Sequence, residues 1–206
     1  MTTLTDEALA LSPTRRTLQD VKARLTPITH PSVSTAVIAT IVSVSVAGIM
    51  LQQLIHTPWG LPGHRVLFWL TPLIAARWAI GRPGTALGIA TASSAGILLI
   101  DPTMGLFVAP YLVAGFLVDL AASTPFIRRH AWIMIPLAPI MVLANLINPF
   151  VHNLATASLP TVFSGMWFYV QGHLLWGLAA GIVGISAGMF GQSKLRQLRS
   201  SDSTHS

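Results

Sequence analysis

Six stretches of nearly unbroken hydrophobic residues run along this chain, parted by short turns in which Gly, Pro and basic residues gather. They are Ser32–Leu54, Val66–Ile80, Thr85–Ile100, Met104–Ala122, Ala131–Phe150 and Phe163–Phe190. A helix needs about 20 apolar residues to cross the hydrocarbon of a bilayer. The pattern therefore predicts an all-α integral membrane protein, a compact bundle of six transmembrane helices. The second and third stretches are short, so they would cross with help from Arg and Trp ends that snorkel, or beside locally thinned bilayer. The sixth is long enough to tilt or protrude.

Three of these helices carry small residues every fourth position, which lets backbones approach where lipid gives no hydrophobic drive for association. The first has Ala39, Ser43 and Ala47, the third Gly88, Ala92 and Gly96, and the sixth Ala180, Gly184 and Gly188. Internal packing is the ordinary use of such stripes. The first helix, long and without proline, also suits contact with a partner protein.

Composition agrees with the pattern. Of the 206 residues 52% are hydrophobic and 9% charged, and mean hydropathy is +0.66. Soluble domains carry roughly a quarter charged residues. With so little chain outside the apolar stretches, one membrane domain with polar tails is expected: a cytoplasmic tail at 1–30 with an interfacial amphipathic helix, the membrane domain at 31–191, and a disordered cytoplasmic tail at 192–206. About 30 mostly polar residues before the first long apolar stretch argue against a cleaved signal. Ser12-Pro13 resembles a helix start, and Leu18, Val21 and Leu25 share one face behind it.

Charge then orients the bundle. Arg15, Arg16, Lys22 and Arg24 precede the first stretch, Arg77 and Arg82 lie between the second and third, Arg128 and Arg129 between the fourth and fifth, and Lys194, Arg196 and Arg199 after the sixth. With six spans and both termini in the cytoplasm, eleven of the twelve cations fall on the cytoplasmic side, as the positive-inside rule requires. Arg65 is the exception. The net charge of +6 thus reflects orientation and anionic lipid, with no nucleic-acid partner implied, and multi-pass placement in the cell's inner membrane is expected.

Polar groups are costly in hydrocarbon, so those inside the stretches carry information. Asn145, Asn148 and His152 fall at i, i+3 and i+7 near the outer end of the fifth stretch, although Pro149 could make His152 the start of a loop. In the sixth, Tyr169, His173 and Trp176 share a face, Trp167 and Gln171 form a second pair, and His173 lies about 15 Å inward from Phe163. The turn GLPGHRVLFWL adds Trp59, His64, Arg65 and Trp69. All of these lie in the outer half. Trp59, Trp69 and Trp167 suit interfacial anchoring as well as ligand contact, Asn145 and Asn148 suit bonds between helices, and Arg65 suits snorkelling to headgroups. Their convergence describes an outward pocket with a few polar groups in an aromatic wall.

Several chemistries have no residues to carry them. There is no phosphate-binding loop for ATP, no HExxH or GxSxG, and Asp119 alone among the carboxylates stands within a span, so no enzyme is expected. Zero cysteines exclude disulfides and thiolate ligands. His56, His64, His152 and His173 are irregularly spaced and no carboxylate or thiol joins them, so no metal site and no cofactor are assigned.

Six short helices with both ends inside, a small-residue first helix, a first loop able to cover an outer pocket, and the run around Gly81, Pro83, Gly84, Ala86 and Gly88 leading to PYLVAGFLVDL resemble the substrate-binding S-components of energy-coupling factor vitamin transporters. The resemblance covers residues 32 to 190. It implies a chain that captures a vitamin or precursor outside, docks through its first helix onto a T subunit carried by two ATPases, and topples to release the ligand inside. Ala39, Ser43 and Ala47 would be the docking residues. With no outer carboxylate, a neutral or anionic ligand is expected, cobalamin among the candidates; the cysteine and amino-terminal His used by some relatives are not matched. Other roles left open are a membrane scaffold of the rod-shape morphogenesis type and a small dimeric carrier.

Overall fold

The computed structural model describes residues 35–54, 63–143 and 159–202. The chain divides into two units, 1–34, which lies outside those residues, and Thr35–Ser206. Among the described residues every regular element is helical. We number the helices α1 (Thr35–Leu54), α2 (Arg65–Ile80), α3 (Thr85–Ile100), α4 (Ala109–Ser123), α5 (Pro125–Arg129), α6 (Met134–Val142) and α7 (Leu159–Asp202). Short 3-10 segments, Pro102–Val108 and Ala131–Ile133, lead into α4 and α6.

Local chemistry sets these boundaries. α2 stops because Gly81 enters the left-handed region at φ 73°, returning its N–H to the Arg77 carbonyl at 3.0 Å. Three residues on, Gly84 at φ 80° starts α3, a conformation that costs glycine little. Asp101 ends α3 and caps the next segment by accepting from the Thr103 N–H, and Pro102 cannot prolong the preceding helix.

Close approaches at glycine give the packing directions. A Cβ on Gly188 would lie 2.6 Å from the Trp78 Cβ, and one on Gly184 would lie 2.8 Å from the Ile74 Cβ. Both pairs are 110 positions apart, as are Gly63, just before α2, and His173, within α7, so α2 and α7 run parallel in one register. Gly177 meets Pro139 and Val142 while Gly181 meets Ala138 and Ile135, so α6 and α7 are antiparallel. α3 and α4 are antiparallel through Gly115 against Ala90 and Leu87. These directions are those of helices that alternate across a common layer.

Of the three small-residue stripes, that of α7 is the buried one: Gly184 and Gly188 form the seam with α2, and Ala180 is buried one turn before them. Ala39, Ser43 and Ala47 face outward, and so do Gly88 and Ala92. α3 packs instead through buried Ala86 and Ala90. The core is built from α2 side chains, including Leu70, Leu73 and Ile74, with Ile49, Ile89, Val118, Met134 and Val142 around them. The exterior is as oily as the interior: Val44, Leu99, Phe116, Ile140, Leu175 and Ile182 are all exposed. Soluble monomers rarely display so much contiguous apolar surface.

Two segments, Pro102–Ser123 and Trp167–Gln197, are long and apolar enough to cross a membrane by themselves. Val37–Gln52, Thr85–Ile100 and Ala131–Val142 are shorter apolar helices. The sixth predicted element needs correction at its end. The tail expected to be disordered from 192 is helical through Asp202, making α7 44 residues long. Beyond Gly191 most residues are polar, but Lys194, Leu195, Arg196 and Gln197 are strong helix formers that extend an existing helix without a new nucleus. The Ser193 hydroxyl donates to the Phe190 carbonyl, and the Lys194 ammonium lies 5.7 Å from the Phe190 ring centre.

The seam predicts that Gly188→Val destabilises the protein by about 1–3 kcal/mol through overpacking against Trp78 and Ala75. Gly88→Ala, where nothing lies within 4 Å of the added Cβ, should leave the melting temperature unchanged or slightly raised. Thermal melts of the purified protein in detergent measure both.

Candidate functional site

The C-terminal end of α1, the N-terminal ends of α2 and α4, and α7 at His173 come together around the start of α2. Gly63 sits at φ 81° in the turn before α2, and a Cβ there would lie 2.8 Å from the backbone N and Cα of His173. Only glycine provides both the left-handed conformation and the clearance. The turn closes with Val66 N–H donating to the Gly63 carbonyl at 2.9 Å. His64 and Arg65 are thereby held against α7 at His173, with His64 buried and Arg65 half-buried.

His173 donates from Nδ1 to the Tyr169 carbonyl at 2.8 Å, since that oxygen can only accept. In the neutral ring Nε2 is then an acceptor. His173 stands level with the N-terminal end of α2.

One turn along α2, Trp69 is buried and meets the Tyr111 ring edge-on, with centroids 5.4 Å apart. The Tyr111 hydroxyl hydrogen-bonds the side chain of Gln52 from α1, and the Arg65 charge acts on the same group. The described outer set thus draws on α1, α2, α4 and α7.

The other residues expected here divide. Trp176 is half-buried against the core, whereas Trp167, Tyr169 and Gln171 face outward from α7. Trp167 is 64% exposed, and beside it the exposed Phe168 and Tyr169 rings meet edge-on with centroids 6.5 Å apart. Trp59, Asn145, Asn148 and His152 lie outside the described residues. Among the described residues no three His, Cys, Asp or Glu side chains come together as a metal-binding group.

Sequence reading missed Gln52 and Tyr111. A glutamine at the apolar end of the first helix, and a tyrosine opening the fourth, were the signals available. It also missed a pairing at the opposite end. Arg77, counted as a loop cation, is buried in the last turn of α2 with its Nε 2.8 Å from Asp119 Oδ1 of α4. The N–H is not aligned along that line, so the contact is an ion pair more than a straight hydrogen bond. The other carboxylate oxygen, Oδ2, accepts from the Leu87 N–H at 2.8 Å. Leu87 is the third residue of α3, where backbone donors have no partner inside the helix and the helix dipole favours an anion.

Neither a protein-family model, nor a curated protein, nor a solved structure matches this chain.

Removing either partner strands a buried charge, so Arg77→Met and Asp119→Leu should each cost about 3–5 kcal/mol. The double variant should cost less than the two singles together, and a double-mutant cycle read by thermal or denaturant unfolding in detergent measures the difference.

Proposed function

We propose that this chain is a six-span inner-membrane protein with both termini in the cytoplasm, which captures a small vitamin-like molecule at its outer face for uptake. The observation that carries this reading is the seating of Gly63 on the backbone of His173. It gathers His64, Arg65, His173, Tyr111 and Gln52 at one end of an otherwise apolar bundle. Groups able to donate and accept hydrogen bonds, beside the rings of Trp69 and Tyr111, suit a ligand with a ring and a polar edge. Arg65 suits a neutral or anionic one. Parallel packing of α2 with α7, and antiparallel packing of α3 with α4 and of α6 with α7, support alternate crossing.

In this reading the chain acts like the S-component of an energy-coupling factor transporter, handing its ligand to a T subunit driven by ATPases. The outward face of α1 supports that partnership. Ala39, Ser43 and Ala47 are exposed on a helix of which only Ser45, Ile49 and Gln52 are buried among the described residues. A flat, small-residue face lets a second helix approach closely.

The test is a thermal-shift screen of the purified protein against vitamins and their precursors. One neutral or anionic compound should raise the melting temperature, by an amount that grows with ligand concentration as mass action requires. Arg65→Ala should weaken that ligand about tenfold or more, the worth of a charge-assisted hydrogen bond. If no vitamin or precursor stabilises the protein, uptake of such a molecule is the wrong function.

A further inference from the structure

At the opposite end of the bundle a cavity of about 640 Å³ opens between the inner ends of α2 and α4, the α5 turn and the far half of α7. Its polar lining is Arg77, Arg128, Arg129, Arg196, His130 and Gln192, with no carboxylate among the described lining residues. Arg77 is already paired with Asp119. The guanidinium groups of Arg128, Arg129 and Arg196 therefore bring three positive charges to one concavity without a countercharge in its wall. Holding like charges together is unfavourable, and an anion relieves it. Arg196 reaches the cavity only because α7 continues beyond its apolar length.

The rest of the wall is apolar. Trp78 and Ile185 are buried, while Trp132 and Met189 remain more than half exposed. Arginine matches phosphate through paired N–H groups in a planar fork, and three of them favour that anion over a monovalent carboxylate. A volume of this size takes a headgroup-sized ligand. His130 commits its Nδ1 to the Phe126 carbonyl at 3.1 Å, which fixes the ring beside the arginines.

We propose that this cavity binds the phosphate group of an amphiphile, with the phosphate on Arg128, Arg129 and Arg196 and the apolar portion on Trp78, Trp132, Ile185 and Met189. The same chemistry is offered by an anionic phospholipid of the surrounding leaflet and by a soluble phosphate ester. The proposal does not depend on what binds at the outer end.

The full chain is reconstituted in phosphatidylcholine nanodiscs and melted in two arms, one with increasing phosphatidylglycerol and one with glycerol 1-phosphate in solution. Stabilisation by phosphatidylglycerol is expected, with the concentration for half effect raised about fivefold by Arg128→Gln or Arg196→Gln. Arg196→Lys should recover part of the loss. Arg82→Gln, an exposed cation outside this cavity, should change nothing. Arginine-dependent stabilisation in the soluble arm alone upholds the phosphate site and assigns it to a soluble ester. Equal effects on wild type and both variants, or an equal loss with Arg82→Gln, overturn the proposal. If the variants do not fold, native mass spectrometry of the wild type decides: phosphatidylglycerol retained in excess of phosphatidylcholine upholds it, and equal retention overturns it.

Discussion

The contact on which the Arg77 end of this bundle depends is a single carboxylate. Asp119 reaches from the end of α4 to the Arg77 guanidinium with one oxygen and to the Leu87 N–H with the other, so it joins three helices at the level where two of them turn. The helix start it caps belongs to α3, whose N-cap residue Gly84 has no side chain to do so. A buried charge is expensive alone and tolerable only when both oxygens are used. The Gly81–Gly84 turn, too short to lie far from the bundle, brings Arg77 and Leu87 close enough for one side chain to serve both.

That carboxylate also bears on what surrounds it. Because Asp119 neutralises Arg77, the cationic character of the inner cavity is left to Arg128, Arg129 and Arg196. Two of these sit on a five-residue helix and one on the polar extension of α7, elements that a search for apolar spans passes over. The outer end has a different composition. Among the described residues Arg65 is the one cation there, and its charge acts on the Tyr111 phenol.

Helix positions were legible in the chain because hydrophobic runs and Gly-Pro turns punctuate it. Thr85–Ile100 stands as predicted and Val66–Ile80 differs by one residue. Pairings were much less legible. Small residues at four-residue spacing mark three faces as able to pack, but which face does so depends on a partner far away in sequence: Gly184 needs Ile74, and nothing near Gly88 plays that part. The end of α7 was misread because hydropathy reports where a helix leaves lipid, and backbone hydrogen bonding continues past that point. Of the outer site, His64, Arg65 and His173 were visible as costly groups in apolar surroundings. Trp69 was visible too, but its neighbours Gln52 and Tyr111 lie on other helices and carry no motif. Trp167, Tyr169 and Gln171 share a helix with His173 and face elsewhere, since the residues on one helix face are neighbours only when that face is the one that packs.

The seam between α2 and α7 constrains how the two ends can communicate. Gly63, Ile74 and Trp78 all meet α7 at one register offset, and a Cβ at Gly191 would touch Ala79 at 3.1 Å. Separating His64 and Arg65 from His173 therefore means unseating backbone-to-backbone contacts along the whole of α2, at a cost set by close packing. The α2–α7 side of the cluster is therefore a rigid wall, whereas α1 is held less tightly. It contributes Gln52 to the cluster, keeps one face outward, and touches α3 at Gly96 through the flexible end of the Met50 side chain. A long side chain that can change rotamer yields more readily than two abutting backbones. α1 is thus held at this cluster by a side chain able to yield, and it also keeps Ala39, Ser43 and Ala47 exposed.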